Sequence, residues 1–159
     1  MSKPTPMKIL SLKCISLKLI VFLYILLPAP GCTGNTPNLN NVKQEEFIGY
    51  RNKDTTIAIL RVAGTDFYGS MEVLYDVGMK DSGIVKGKVY GDTLFAGDYY
   101  HLHDGQDDWK RVPLRLLKRR NKLILGEGII AYFANMPFFV SYPPVQYDEQ
   151  KQFVLYPVK

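Results

Sequence analysis

Residues 81–103 read DSGIVKGKVYGDTLFAGDYYHLH, and the spacing of turn residues within them decides the fold. Lys80-Asp81-Ser82-Gly83 is a turn signal, and Ile84 to Tyr90 is a short run rich in β-branched and aromatic side chains. Gly91-Asp92 reverses the chain into a second such run, Thr93 to His103, which Asp104-Gly105 closes. Two runs of this length around a Gly-Asp corner are antiparallel strands. Upstream the same rhythm gives Thr55 to Val62, a corner at Gly64-Thr65-Asp66, and Phe67 to Val77. In that last segment Phe67, Gly69, Met71, Val73 and Tyr75 form the more apolar phase and are expected to face inward.

Downstream, Trp109 to Lys118 sets Val112, Leu114 and Leu116 on one face and Arg111 and Arg115 on the other. Pro113 and this strict alternation exclude a helix there. Leu123 to Phe133 is expected as one strand bent at Gly126 and Gly128, followed by Phe138 to Tyr142, a break at Pro143-Pro144, and Gln152 to Tyr156. Residues 135–149 are the least regular and are expected to form a loop over one rim. No helical pattern of ten or more residues follows Cys32. Short strands at such spacing make an all-β domain, and a single up-and-down barrel of about eight antiparallel strands leaves no exposed edge.

The N-terminus is of another kind. Of 20 basic residues, Lys3, Lys8, Lys13 and Lys18 fall in residues 1–31, which hold no acidic residue; 16 basic and 15 acidic residues remain. The basic balance therefore belongs to the leader, and a nucleic-acid partner is not expected. The apolar run Leu19 to Leu27 is nine residues long, short of the roughly 20 that span a bilayer. A basic start, a short apolar run and small residues make an export signal, with Met7 a second plausible start. Cys14 leaves with it, so Cys32 is the one cysteine of the exported chain and no internal disulfide forms. Expected organisation is residues 1–31 as signal, 32–46 as a lipid-bearing cysteine with a polar tether (Thr33 to Asn41 is rich in Gly, Pro and Asn), and 47–159 as the barrel.

Leu26, Leu27, Ala29, Gly31 and Cys32 resemble the end of a bacterial lipoprotein signal. The resemblance implies cleavage before Cys32 and a lipid on its sulfur, an anchor whose strength comes from buried methylenes. Ala29 stands where that pattern more often has leucine, and Pro30 is unusual in it. The stretch from Asp81 to Tyr100 resembles small Bacteroidetes-type envelope lipoproteins with a lipocalin-like barrel, through its turn glycines and apolar strands over most of residues 47–133. That likeness implies an outer-membrane anchor facing the periplasm. Two families related by architecture, copper-resistance lipoproteins and lysozyme-inhibitor lipoproteins, carry cysteine patterns absent here.

Four groups of residues are candidates for chemistry. His101 and His103, the only histidines, point the same way at i and i+2 on a strand and form a two-imidazole metal candidate, with Asp98 or Asp104 as an oxygen donor. Arg111, Arg115, Arg119 and Arg120, within a basic segment, are candidates for contact with an anionic headgroup or glycan, against the commoner role of a solvated face. Tyr132, Phe133, Phe138, Phe139 and Tyr142 are candidates to line an open barrel mouth. Asp107, Asp108 and Glu127 are the carboxylates of an acid–base reading as a glycan hydrolase. Both histidines sit in one strand, Cys32 is committed to lipid, and glycines fall singly at turns, so neither a nucleophilic triad nor a cofactor is expected. The expected function is a non-enzymatic, lipid-anchored envelope protein that binds a small apolar ligand or a protein partner. The alternatives are an inhibitor or scaffold of an envelope enzyme, and the hydrolase.

Overall fold

A computed structural model describes residues 42–159, all of whose regular elements are strands. In chain order they are β1 (Gln44–Arg51), β2 (Asp54–Ala63), β3 (Asp66–Leu74), β4 (Lys80–Tyr90), β5 (Leu94–His103), β6 (Lys110–Arg119), β7 (Lys122–Leu125), β8 (Ile130–Phe133), β9 (Met136–Phe139) and β10 (Val154–Pro157). β1 to β7 are antiparallel neighbours in sequence order, and β10 returns between β7 and β1 to close an eight-stranded barrel. β8 and β9 form a separate two-stranded hairpin. This meander gives the barrel two distinct ends. The connections after β1, β3, β5 and β7 share an upper end, and the start of β1 at Gln44 shares the lower end with the connections after β2, β4 and β6.

The inward phases are those the alternation predicts. Phe67, Met71 and Val73 of β3 and Leu114 and Leu116 of β6 are buried, while Arg111 and Arg115 lie on the other face. Phe67 meets Phe95 edge to face at 5.3 Å, and with Val85, Leu116, Leu123 and Leu155 they fill the waist of the barrel. A cup opens at each end of this plug, about 410 Å³ above and about 350 Å³ below. So small a barrel needs sharply coiled strands. A Cβ at Gly69 would stand 1.8 Å from the Ile59 carbonyl oxygen, and one at Gly83 1.9 Å from that of Tyr100. Only glycine allows approaches of that kind.

Several boundaries differ from expectation. The barrel begins at Gln44, inside the expected tether, because the polar start Gln44-Glu45-Glu46 lies on an exposed strand end before Phe47 turns inward. Asp81-Ser82-Gly83 is strand; the corner lies earlier, where the Gly78 amide donates to the Tyr75 carbonyl at 2.9 Å and the Tyr75 amide to the Met79 carbonyl at 2.9 Å. Gly83 serves close packing instead of a turn. Residues 123–133 are two strands: β7 ends at Leu125, and Gly126 and Gly128 lead the chain out of the wall. Residues 135–149 contain β9 and so are partly regular.

β6 itself explains where the wall stops. Its odd-numbered residues face β7, and the Arg115 carbonyl still accepts from the Gly126 amide at 2.8 Å. Two residues higher, the same edge carries Pro113, which has no N–H to offer a neighbour. Above Arg115 the wall is completed by residues 126–128, Phe139 and Phe153 in place of a ladder.

Candidate functional site

The upper cup gathers the polar chemistry. Register sets Asp81 of β4 directly opposite His103 of β5, and Gly83 opposite His101, so both imidazoles and the carboxylate face inward from adjacent strands. His103 Nδ1 donates to Asp81 Oδ1 at 2.5 Å, and the Tyr75 hydroxyl, from the corner after β3, donates to Asp81 Oδ2 at 2.7 Å. His101 Nδ1 lies 3.6 Å from Asp81 Oδ2 and makes no hydrogen bond; the residue is only 7% exposed. Its ring stacks on that of Tyr99 at 4.6 Å, and the Tyr99 hydroxyl donates to the Met71 carbonyl at 3.0 Å.

Burial shapes the protonation of this group. Desolvation, opposed by the Asp81 carboxylate, holds the His101 pKa below the ordinary histidine value, so its imidazole is neutral. Tyr75 is pushed up to about 12 by burial and then by its bond to Asp81. Burial, with the Asp81 charge, likewise raises Tyr99. The Asp81 side chain is thus held by a phenol and an imidazole inside an apolar wall.

The facing wall is apolar: Val112, Leu114, Leu125, Ile130, Phe139 and Phe153. Arg51 lies over the Phe153 ring at 4.5 Å and pairs with Asp54 at 3.2 Å. Glu127, on the same rim, accepts from Gln152 Nε2 at 3.3 Å. Such a cup suits a small molecule with an apolar body and one polar group.

His101 and His103 therefore do share a face, but the acid between them is Asp81. Asp98 points outward and pairs with Arg111 at 2.9 Å. Among the described residues no group of three or more His, Cys, Asp and Glu side chains is arranged to hold a metal ion. Of the five aromatic candidates only Phe139 lines the cup. Tyr132 (70% exposed), Phe133 (74%) and Phe138 project on the hairpin, and Tyr142 (88%) follows it. A hairpin leaving the barrel turns those side chains to solvent.

The arginines do not form one patch. Arg111 and Arg115 lie outside the upper half of β6, over Tyr100 at 5.5 Å and Phe139 at 6.0 Å. Arg119 joins Lys122 in clamping Glu149 at the lower end, and Arg120 occupies the corner between β6 and β7 at φ 59°. Asp107 and Asp108 are exposed in the β5–β6 connection. Cys32 lies outside the described residues. Asp81 and Arg51 are candidate site residues that alternation within single strands does not single out, and Tyr75, which alternation places inward, meets them only through cross-strand register.

Fold and site together define a class: an eight-stranded antiparallel up-and-down barrel, plugged at its waist, with a polar cluster in an apolar cup at one end. No family model matches the chain, and no curated protein or solved structure matches it significantly.

Proposed function

We propose that this protein is a non-enzymatic, lipid-anchored protein of the bacterial cell envelope that binds a small, largely apolar ligand in the upper cup. The observation that carries the reading is the cup itself, about 410 Å³ of apolar-walled space beneath the Tyr75–Asp81–His103 cluster. Its volume falls in the ordinary range of small-molecule sites, and the filled waist limits the ligand to that depth. The polar cluster orients the one polar group of the ligand. Cys32 holds the barrel to the membrane, and β1 begins at the end of the barrel opposite the cup.

Native mass spectrometry of protein purified from its own envelope tests the ligand. A small molecule is expected on wild type and lost in Val112→Trp, which fills the cup; an empty wild type, or a ligand equally bound by both, would overturn the reading. Labelled palmitate tests the anchor, with label expected on wild type and absent from Cys32→Ser. A second reading, contact with another polypeptide, is favoured by the exposed hairpin, where Ile129, Tyr132, Phe133 and Met136 are each half exposed or more.

A further inference from the structure

We infer that β8 is a pairing edge for a second copy of this chain, joined antiparallel about a two-fold axis through Ala131. The hairpin's own hydrogen-bond pattern shows which backbone groups are available. Ala134 (φ 48°) and Asn135 (φ 61°) make a two-residue turn of the primed type, so Phe133 and Met136 close it as a hydrogen-bonded pair. Pairs then alternate: Ala131 with Phe138 is hydrogen-bonded, and the Val140 amide donates to the Ile129 carbonyl at 2.9 Å. Ile130 and Tyr132 fall on the other positions, opposite Phe139 and Pro137. Their N–H and C=O groups therefore point away from β9, along an edge to which no described strand pairs.

The two edges of the hairpin are treated differently. On β9, the strand nearer β6, the outward donor position is Pro137, which cannot pair. On β8 both outward positions, Ile130 and Tyr132, keep their N–H. No residue from 128 to 147 carries a charge, whereas edge strands are ordinarily blunted with lysine, proline or a bulge. Ile130 and Tyr132 are both exposed. Though only four residues long, an uncharged edge with its outward donors in place is a template for strand addition.

The edge is also complementary to itself. With Ala131 on the axis, Ile130 of each copy stands opposite Tyr132 of the other, a β-branched–aromatic cross-strand pair with outward hydrogen bonds in register. The smallest side chain meets its own copy at the closest point, and no like charges face each other. A bilayer is the less suitable occupant, because it cannot satisfy backbone N–H and C=O groups.

The test uses full-length protein expressed in cells. Ala131→Cys is expected to form a disulfide-linked dimer on non-reducing gels, because facing residues at a non-hydrogen-bonded pair lie within disulfide reach. Wild type and Ala134→Cys, whose cysteine would lie far from the axis, are expected to form none. Tyr132→Pro deletes an outward N–H while leaving every hydrogen bond to β9, so it is expected to weaken dimerisation in sedimentation by about tenfold or more. Equal cross-linking of Ala131→Cys and Ala134→Cys would overturn the assignment. So would cross-linking of Ala131→Cys to a different protein, a wild type that stays monomeric, or a dimer indifferent to Tyr132→Pro. Ile130 belongs to both the cup wall and the edge, but cross-linking through Ala131→Cys is read with no ligand added, so its failure leaves the cup reading standing.

Discussion

Asp81 is 7% exposed and keeps its place through two donors, Tyr75 and His103. Tyr75→Phe removes one of them without changing the ring, and is expected to destabilise the domain by about 1–2 kcal/mol in urea unfolding, the usual scale for a hydrogen bond to a partly buried carboxylate. No loss of stability would show that water replaces the phenol. His101 supplies a separate signal. Facing Asp81 on β4, Tyr99 and His103 on its own strand and Lys110 on β6, it has its pKa lowered chiefly by burial. An unfolded chain takes up that proton near pH 6.5 while the folded one resists it, so the unfolded state binds more protons and stability falls as the pH drops through that value. His101→Phe keeps the stack on Tyr99 and removes the titration. Thermal melts from pH 7 to pH 5 are expected to show a smaller loss for the variant than for wild type. Equal losses would place the acid sensitivity elsewhere. The shared direction of His101 and His103 is legible from spacing alone, because alternation is local. Asp81 is not: its role depends on where β4 begins, and a Lys-Asp-Ser-Gly string looks like a turn until register shows Gly83 packed against a neighbouring backbone.

At the scale of elements, two kinds of glycine look alike in the sequence and differ in the fold. Gly64 has φ +63° at a corner, and a Cβ added there would meet nothing within 4 Å, whereas Gly83 has ordinary strand geometry and no room at all. Gly64→Ala is expected to cost about 1 kcal/mol through backbone strain. Gly83→Ala must push β5 away from β4 and is expected to cost about 3 kcal/mol or more. Denaturant midpoints order the two, and a Gly83→Ala variant no worse than Gly64→Ala would mean that the coiling of β4 is dispensable. Most strands are legible because a half-buried wall writes a period of two into the sequence. β1 escapes because its first three residues are polar. β7 and β8 merge because their apolar runs continue across Gly126 and Gly128, and what separates them is the missing donor of Pro113 on a different strand.

The whole barrel is unevenly closed. β2 through β6 pair along nearly their full lengths, whereas β7 is joined to the β10 segment through Val154 with Ile124, Leu155 with Leu123 and the Leu125 amide, which donates to the Phe153 carbonyl at 3.0 Å. Opening free energies follow such differences, so the β7–β10 seam is the place where the barrel opens first, although Leu123, Ile124 and Leu155 are among its most buried side chains. Native-state hydrogen exchange is expected to protect Val85 and Tyr99 up to the global stability, and Leu125 and Leu155 distinctly less. The seam also borders the upper cup, since Leu125 lies on one side of it and Phe153 on the other. A molecule filling the cup touches both sides at once and is lost when they part, which couples binding to closure by mass action. Adding the ligand recovered from purified protein is therefore expected to slow exchange across Leu125 to Leu155 more than in β4 and β5. Slowing confined to β4 and β5 would place the ligand against the Asp81 wall alone and separate binding from closure of the barrel.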